Sequence, residues 1–292
     1  MASRPHAALI GADGRVIVES SRDFVPWWSF TKTLIATLAL KLAGEGRLDL
    51  DAPMHDPRYT LRQVLHHTAG LPDYAGLAAY QAAVAAEEAP WSDGELLSRT
   101  EARRLRFEPG EGWRYSNIGY LLARRRLEAA GGRSLASLLR ETIFLPLSLT
   151  EPVLAETASD MAGLALPPPH AYDPGWVFHG TVIGPAGDAA RCLHAILEGG
   201  LLAPRELGQL LAIRSLGGPL PERPWLATGY GLGVMAGPVP GAEAAGHSAG
   251  GPGSVGAVYR FKGAGRTAIA AVFGDYRHEG EAEFEAMRLA SR

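Results

Sequence analysis

The chain has 292 residues, with 28 Lys and Arg against 31 Asp and Glu and a formal net charge of -3, so no overall field draws it to nucleic acid or an anionic membrane. Its length suggests two domains or one large one, and a hydrophobic content of 47% with 36 Gly and 21 Pro excludes a disordered chain. Only Lys32, Lys41 and Lys262 are lysines, so a lysine here is not drawn from an abundant pool.

Met1-Ala2-Ser3-Arg4-Pro5 is followed by no long apolar region, and the longest apolar stretch, Leu34 to Leu40, is too short to span a bilayer. A soluble, cytoplasmic protein is expected unless a leader peptide has been removed. Ala7 to Ile10 and Arg15 to Glu19 read as a hairpin around Gly11-Ala12-Asp13-Gly14. A helix is predicted from about Ser29 to Ala43, ended by Gly44 and Gly46. From Thr60 the pattern stays helical for well over a hundred residues. Thr60-Leu61-Arg62-Gln63 and Ser92-Asp93-Gly94-Glu95 fit capping boxes, and helices follow at about Asn117 to Ala130, Ser134 to Phe144 and Ala186 to Glu198. Cys192, the one cysteine, falls in the apolar pattern of the last of these, as a buried small hydrophobe. Past Leu216, strands are predicted at Tyr230 to Met235, Ala242 to His247, Ser254 to Phe261 and Thr267 to Phe273, then an amphipathic helix at Glu279 to Leu289. Strands at both ends with helices between imply an α/β part, an antiparallel sheet flanked by helices, interrupted by an inserted all-α part. The expected division is 1–55 with 205–292 for the discontinuous α/β domain and 56–204 for the helical one.

Ser29-Phe30-Thr31-Lys32 puts a hydroxyl and an ammonium about one helical turn apart on one face. A serine is a poor nucleophile until a base takes its proton, and a lysine held close can do so. The plainer alternative is an N-cap beside a solvated lysine, but a first-turn lysine opposes the helix dipole. Tyr115-Ser116-Asn117 stands at a turn before a helix. Tyr115 can serve as a base if the Lys32 ammonium depresses its pKa, and Asn117 can orient Lys32 or bind a substrate amide. The plainer readings are a half-buried aromatic and an N-cap. Gly246-His247-Ser248-Ala249-Gly250-Gly251-Pro252-Gly253 ends a strand, where glycines permit close approach of a ligand and an edge amide can complete an oxyanion hole.

Together, Ser-x-x-Lys, Tyr-x-Asn some eighty residues on and a C-terminal His-Ser-Ala strand resemble the penicillin-recognising serine hydrolases. This superfamily includes class C β-lactamases, D-alanyl-D-alanine carboxypeptidases and related carboxylesterases and D-amino-acid amidases. His66-His67-Thr68-Ala69-Gly70-Leu71-Pro72, Pro109-Gly110, Phe144-Leu145-Pro146-Leu147 and Tyr230-Gly231-Leu232-Gly233 also look like its landmarks, extending the resemblance over about residues 7 to 275. The resemblance implies a β-lactamase/transpeptidase-like fold and an acyl-enzyme formed on Ser29, with Lys32 and Tyr115 sharing the base work. It implies an oxyanion hole from the amides of Ser29 and Gly250, Asn117 and His247 binding substrate or tuning the base pair, Ser248 in the substrate-binding and oxyanion set, and no metal or organic cofactor. His67-Thr68 would fix a helix end. Where the lactamase form has Lys-Thr-Gly, this chain has His247-Ser248-Ala249. Histidine attracts a substrate carboxylate less than lysine does, and the Ala249 methyl is expected to narrow the cleft. With no Glu-x-x-Leu-Asn segment either, the expectation is an esterase or D-amino-acid amidase or peptidase ahead of a β-lactamase or carboxypeptidase. The expected partner is a small ester, amide or lactam, with no nucleic acid or membrane; oligomeric state is left open.

Three other readings compete. Gly246-His247-Ser248-Ala249-Gly250 is a literal G-x-S-x-G, but a nucleophile elbow needs a helix after Ser248 and Gly251-Pro252-Gly253 follows instead. A catalytically inactive ligand-binding member is opposed by the intact Ser29, Lys32 and Tyr115. A metallohydrolase lacks any His-Glu-x-x-His spacing. Of Trp27-Trp28, either one packs under the helix start and the other lines an acyl pocket, or both pack in the core. Arg124-Arg125-Arg126 reads as a solvated face with Glu128, and Pro167-Pro168-Pro169 as a stiff surface loop.

Overall fold

Both ends of the chain meet in one sheet. The structure, a computed structural model, describes residues 4–169 and 172–292; Met1 to Ser3, on which part of the N-terminal reading rests, lie outside them. Strands β1 (His6–Gly11) and β2 (Val16–Glu19) form the expected hairpin, with Gly14 at φ +79° supplying the left-handed residue of its turn. Two further strands, β3 (Phe24–Pro26) and β4 (Val153–Leu154), join β5 (Val182–Pro185) in a separate three-stranded sheet that the sequence reading missed. The C-terminal half supplies β6 (Arg214–Gly217), β7 (Thr228–Tyr230), β8 (Met235–Val239), β9 (Ala242–Gly251), β10 (Ser254–Gly263) and β11 (Arg266–Gly274). The large sheet runs β2-β1-β11-β10-β9-β8-β7-β6, antiparallel throughout.

Strand alternation divides the core. Ala8, Ile10, Ala245, Ala249, Ile269 and Ala271 join the larger apolar cluster, while Leu9, Ala244, Ala257, Ala268 and Ala270 face the opposite side. Helix α1 (Thr31–Gly44), buried nearly all round, belongs to the larger cluster. The connecting region holds α2 (Leu61–Leu65), α3 (Ala78–Ala85), α4 (Asp93–Arg99), α5 (Asn117–Gly131), α6 (Leu135–Leu139), α7 (Ala158–Ala162), α8 (Ala186–Leu197) and α9 (Pro204–Leu210). The Thr60 capping box is present, with Gln63 answering the N-cap amide. Ser92 caps Glu95 N alone. Helix α8 falls inside the stretch 56–204 yet packs on β1, β10 and β11, and α10 (Glu279–Ala290) covers the other face of the sheet.

Three expectations shift. Tyr230 to Met235 is no strand: Gly231 N donates to Val234 O at 2.8 Å and Gly233 sits at φ +67°, so the chain turns from β7 into β8. The predicted helix from Ser134 to Phe144 breaks after Leu139 into a wider π turn at Arg140–Phe144. Ser29 lies not in α1 but in a short 3-10 turn, Trp28–Phe30, that precedes it.

Candidate active site

Ser29 is displayed by a strained turn. Trp28 adopts φ +38°, a left-handed conformation costing a non-glycine residue about 1–3 kcal/mol, so its surroundings must hold it there. Its Nε1 donates to Ser254 Oγ at 2.9 Å, and its ring meets Tyr172 edge-on at 6.0 Å. Trp27 is anchored on the other side, its Nε1 donating to Gly184 O at 3.1 Å and its backbone N to Val182 O at 2.8 Å. Trp27 is therefore core, while Trp28 lines the cleft; Ser29 stays half-buried between buried neighbours.

One helical turn on, Lys32 is fully buried, with Nζ 3.1 Å from Ser29 Oγ and 3.0 Å from His179 Nε2. Nζ also stands over the rings of Tyr115 and Tyr120, at 5.1 and 5.6 Å from their centroids. Burial holds the amine well below the usual lysine range, opposed only in part by the Asp73 carboxylate. Lys32 thus gives up its proton more readily than an exposed lysine does, beside the serine. Burial pushes the Tyr115 phenol up, partly offset by its hydrogen bond with Ser29. That corrects the expectation of a depressed Tyr115: the amine that was to supply the positive field is itself desolvated.

A directional hydrogen-bond chain backs the site. Ser116 N donates to His67 Nδ1 at 3.1 Å, which leaves the His67 proton on Nε2, 3.2 Å from Tyr230 Oη. At the other end His247 Nδ1 lies 2.6 Å from Ser248 O and must carry the proton, so His247 Nε2 accepts from Tyr230 Oη at 3.0 Å. Each ring has one tautomer that satisfies every contact, and both are neutral. Burial takes His67 well below the ordinary range, and burial with the nearby Lys32 takes His247 to about 3. Of the two roles expected for His247, substrate contact is the one the structure does not bear out: the ring is placed behind the cleft with both nitrogens engaged.

Ser248 points to the other face of the sheet. Its Oγ donates to Glu283 Oε1 at 2.5 Å and accepts from Arg223 at 3.0 Å, within a buried group that includes Tyr259. The structure therefore separates Ser248 from Ser29, and β9 runs from it into a turn to β10, not a helix. The nucleophile-elbow reading falls on that ground. Ala249 is also fully buried and does not reach the cleft, so it does not narrow it.

Gly250 lies at the cleft with Ser29 and Asn117. Pairing of β8 with β9 stops at Gly246, which leaves the edge beyond it free of β8 and packed against the turn bearing Ser29. Ser116, not Asn117, caps α5, accepting from Gly119 N at 3.0 Å. The Asn117 backbone and side-chain nitrogens donate to the two Asp73 oxygens at 2.8 and 3.3 Å, and no bond joins Asn117 to Lys32 among the described residues. The cleft, about 490 Å³, is walled by Trp28, Tyr74, Tyr80, Val84, Tyr172 and Val177, and no Lys or Arg lines it among the described residues. Sequence reasoning missed Asp73, Tyr230 and His179 as site residues. Tyr230 and the residue just before Asp73 sit in quoted landmark segments, a usable signal; His179 carries none.

Among the described residues no group of three His, Cys, Asp or Glu stands ready to hold a metal, and no helix is long and apolar enough to cross a membrane. A family model described as Beta-lactamase matches residues 7–291. A D-stereospecific amidohydrolase from Streptomyces sp. has a similar structure, with TM-score 0.80 and 26% identity over 96% of this chain and 92% of that one. A D-amino acid amidase from Ochrobactrum anthropi SV3, complexed with D-phenylalanine, shares the fold at TM-score 0.75 and 20% identity, over 92% of this chain and 85% of that one. A penicillin-binding protein of Bacillus subtilis (strain 168) is 39% identical over 97 residues, 32% of this chain and only 20% of that protein's length.

Proposed function

The chain belongs to the beta-lactamase family, and from that premise we propose that it is a serine hydrolase that forms an acyl-enzyme on Ser29 and acts on esters or D-amino-acid amides. The observation that carries the reading is a fully buried lysine amine 3.1 Å from a half-exposed serine hydroxyl. Lys32 Nζ takes the Ser29 proton as Oγ attacks the carbonyl. Tyr115, kept protonated by burial and hydrogen-bonded to Ser29, delivers a proton to the leaving group and is reprotonated by the Lys32 ammonium, so the serine proton reaches the leaving group by relay. Backbone amides of Ser29 and Gly250 receive the developing oxyanion, and water then reverses the path to release the acid.

The walls argue for the substrate class. Tyr74, Tyr80, Tyr172 and Trp28 suit an apolar or aromatic side chain. A substrate carboxylate, which penicillins and D-alanyl-D-alanine both carry, meets no described cation in the cleft, since His247 is neutral and buried. The similarity to the Streptomyces amidohydrolase supports the same choice. A panel of D-phenylalanine amide, p-nitrophenyl butyrate and nitrocefin tests it by kcat/KM. The expected order has amide or ester ahead of nitrocefin, with Ser29→Ala inactive on all three. A preference for nitrocefin would overturn the substrate reading, and turnover by Ser29→Ala would overturn the mechanism.

A further inference from the structure

Lys32 has a second close partner besides Ser29. His179, 147 residues along the chain on the segment entering β5, is 3% exposed and places Nε2 at 3.0 Å from Lys32 Nζ. Its Nδ1 is buried without a hydrogen-bond partner among the described residues. A buried imidazole retained for packing alone would be better replaced by an apolar side chain, so a half-satisfied one at the nucleophile's base calls for a role. A neutral amine has one lone pair and two hydrogens. If the lone pair is to face Ser29 Oγ, a hydrogen must be held elsewhere, and His179 Nε2 is an acceptor within reach.

Deepening the acyl-enzyme reading, on which this rests, we propose that His179 is the positioning residue of the base, completing a Ser29–Lys32–His179 array. Its Nε2 accepts an N–H from Lys32 and so turns the amine lone pair onto Ser29. When Oγ bonds to the acyl carbon, the Ser29 O–H bond breaks and the proton forms a new N–H bond on Lys32. Until that proton passes on through Tyr115 to a leaving group, the ammonium donates a hydrogen bond to His179, which stabilises the charge without becoming protonated. Burial and the adjacent Lys32 hold the His179 ring well below the ordinary histidine range, consistent with an acceptor that stays neutral. Asp73, Tyr115 and Tyr120 face Lys32, and Tyr120, Arg124, His67 and His247 face His179. None of these is altered in the variants below.

The test is the rate at which a fluorophosphonate probe labels Ser29 between pH 5 and 10, in the wild-type protein, His179→Leu and His179→Gln, with thermal melting as a check of folding. A glutamine reaches the Nε2 position with an acceptor oxygen; leucine fills the space without one. Loss of a charge-assisted hydrogen bond predicts labelling about 10- to 100-fold slower in His179→Leu. Its acid limb moves to lower pH, because an ammonium without its acceptor loses its proton more easily. His179→Gln keeps the wild-type limb and most of the rate. Equal slowing in both variants with the limb in place would reduce His179 to packing and overturn the proposal, as would no change in either. Should His179→Leu fail to fold, a folded His179→Gln that is tenfold slow or displaced in its limb overturns it alone. An unlabelled wild-type protein would instead refute the acyl-enzyme reading itself.

Discussion

Replacing Gly251 with alanine tests how rigidly the site is held. A Cβ there would lie 2.4, 2.5 and 2.7 Å from three atoms of the Trp28 ring, where ordinary contact begins near 3.4 Å. The ring must therefore retreat by about 1 Å in a close-packed wall. It has little freedom to do so, tied to Ser254 through Nε1 and set edge-on to Tyr172. The displacement passes along a backbone already at φ +38° to Ser29, the next residue. Overpacking of this kind costs about 1–3 kcal/mol of stability. A shift of about 1 Å at the nucleophile costs on the order of 100-fold in rate. Gly250→Ala is the control: its Cβ would come near only Glu279 Oε1, at 2.9 Å, the movable end of a half-buried side chain. Fluorophosphonate labelling and urea unfolding of both variants should show a large loss in Gly251→Ala and stability within about 0.5 kcal/mol in Gly250→Ala. Wild-type rate and stability in Gly251→Ala would refute the claim that the Trp28 ring fixes Ser29. Equal losses in the two would show that any side chain on this edge obstructs the cleft.

Ser248→Ala should label at close to the wild-type rate, because its hydroxyl serves the buried group around Glu283 on the far face of the sheet; labelling as slow as in Ser29→Ala would contradict this placement. Glu283→Gln, which leaves the Arg223 guanidinium without its carboxylate, should lose about 3–5 kcal/mol in urea unfolding. Tyr230→Phe removes the acceptor of His67 and the donor to His247, and each orphaned group costs about 1–3 kcal/mol, measurable in the same way. Stability should also fall steeply in acid. His67, His179 and His247 are all held below their unfolded value of 6.5, so the unfolded chain binds more protons as pH drops from about 6.5 toward the value of about 3 reached by His247. Urea midpoints from pH 7 to pH 4 check the sign, and a flat profile would contradict neutral burial of the three rings.

The serine–lysine pair was legible because its signal is local: a spacing of three survives the change from helix start to 3-10 turn. Strands β1, β2, β10 and β11 and helices α5 and α10 were legible for the same reason, each carrying its own period and punctuation; the edge strand β6 was not. Tyr230 to Met235 was misread because the alternation of a short strand is also produced by a turn with glycine at every second position, and Gly231 and Gly233 were the available warning. Ser248 was misassigned to the substrate because a motif has no faces, whereas a strand does: residues 247 and 248 of β9 point to opposite sides of the sheet. His179 had no local signal at all. Its contact with Lys32 spans 147 residues, and only the joining of β5 to β3 beside the Ser29 turn creates it.

The scarcity of lysine acquires a physical meaning from this burial. Lys32 stands among Tyr115, Tyr120, His67, His179 and His247, each held in its neutral form by desolvation. Such a shell lowers the cost of keeping an amine unprotonated, with the Asp73 carboxylate pulling the other way only in part. Lys32→Arg therefore does not conserve function, since a guanidinium cannot lose its proton to become the base. The same neutral shell argues for uncharged acyl groups in the cleft. A carboxylate brought beside Ser29 would raise the proton affinity of Lys32 and so return the base to the form that cannot act.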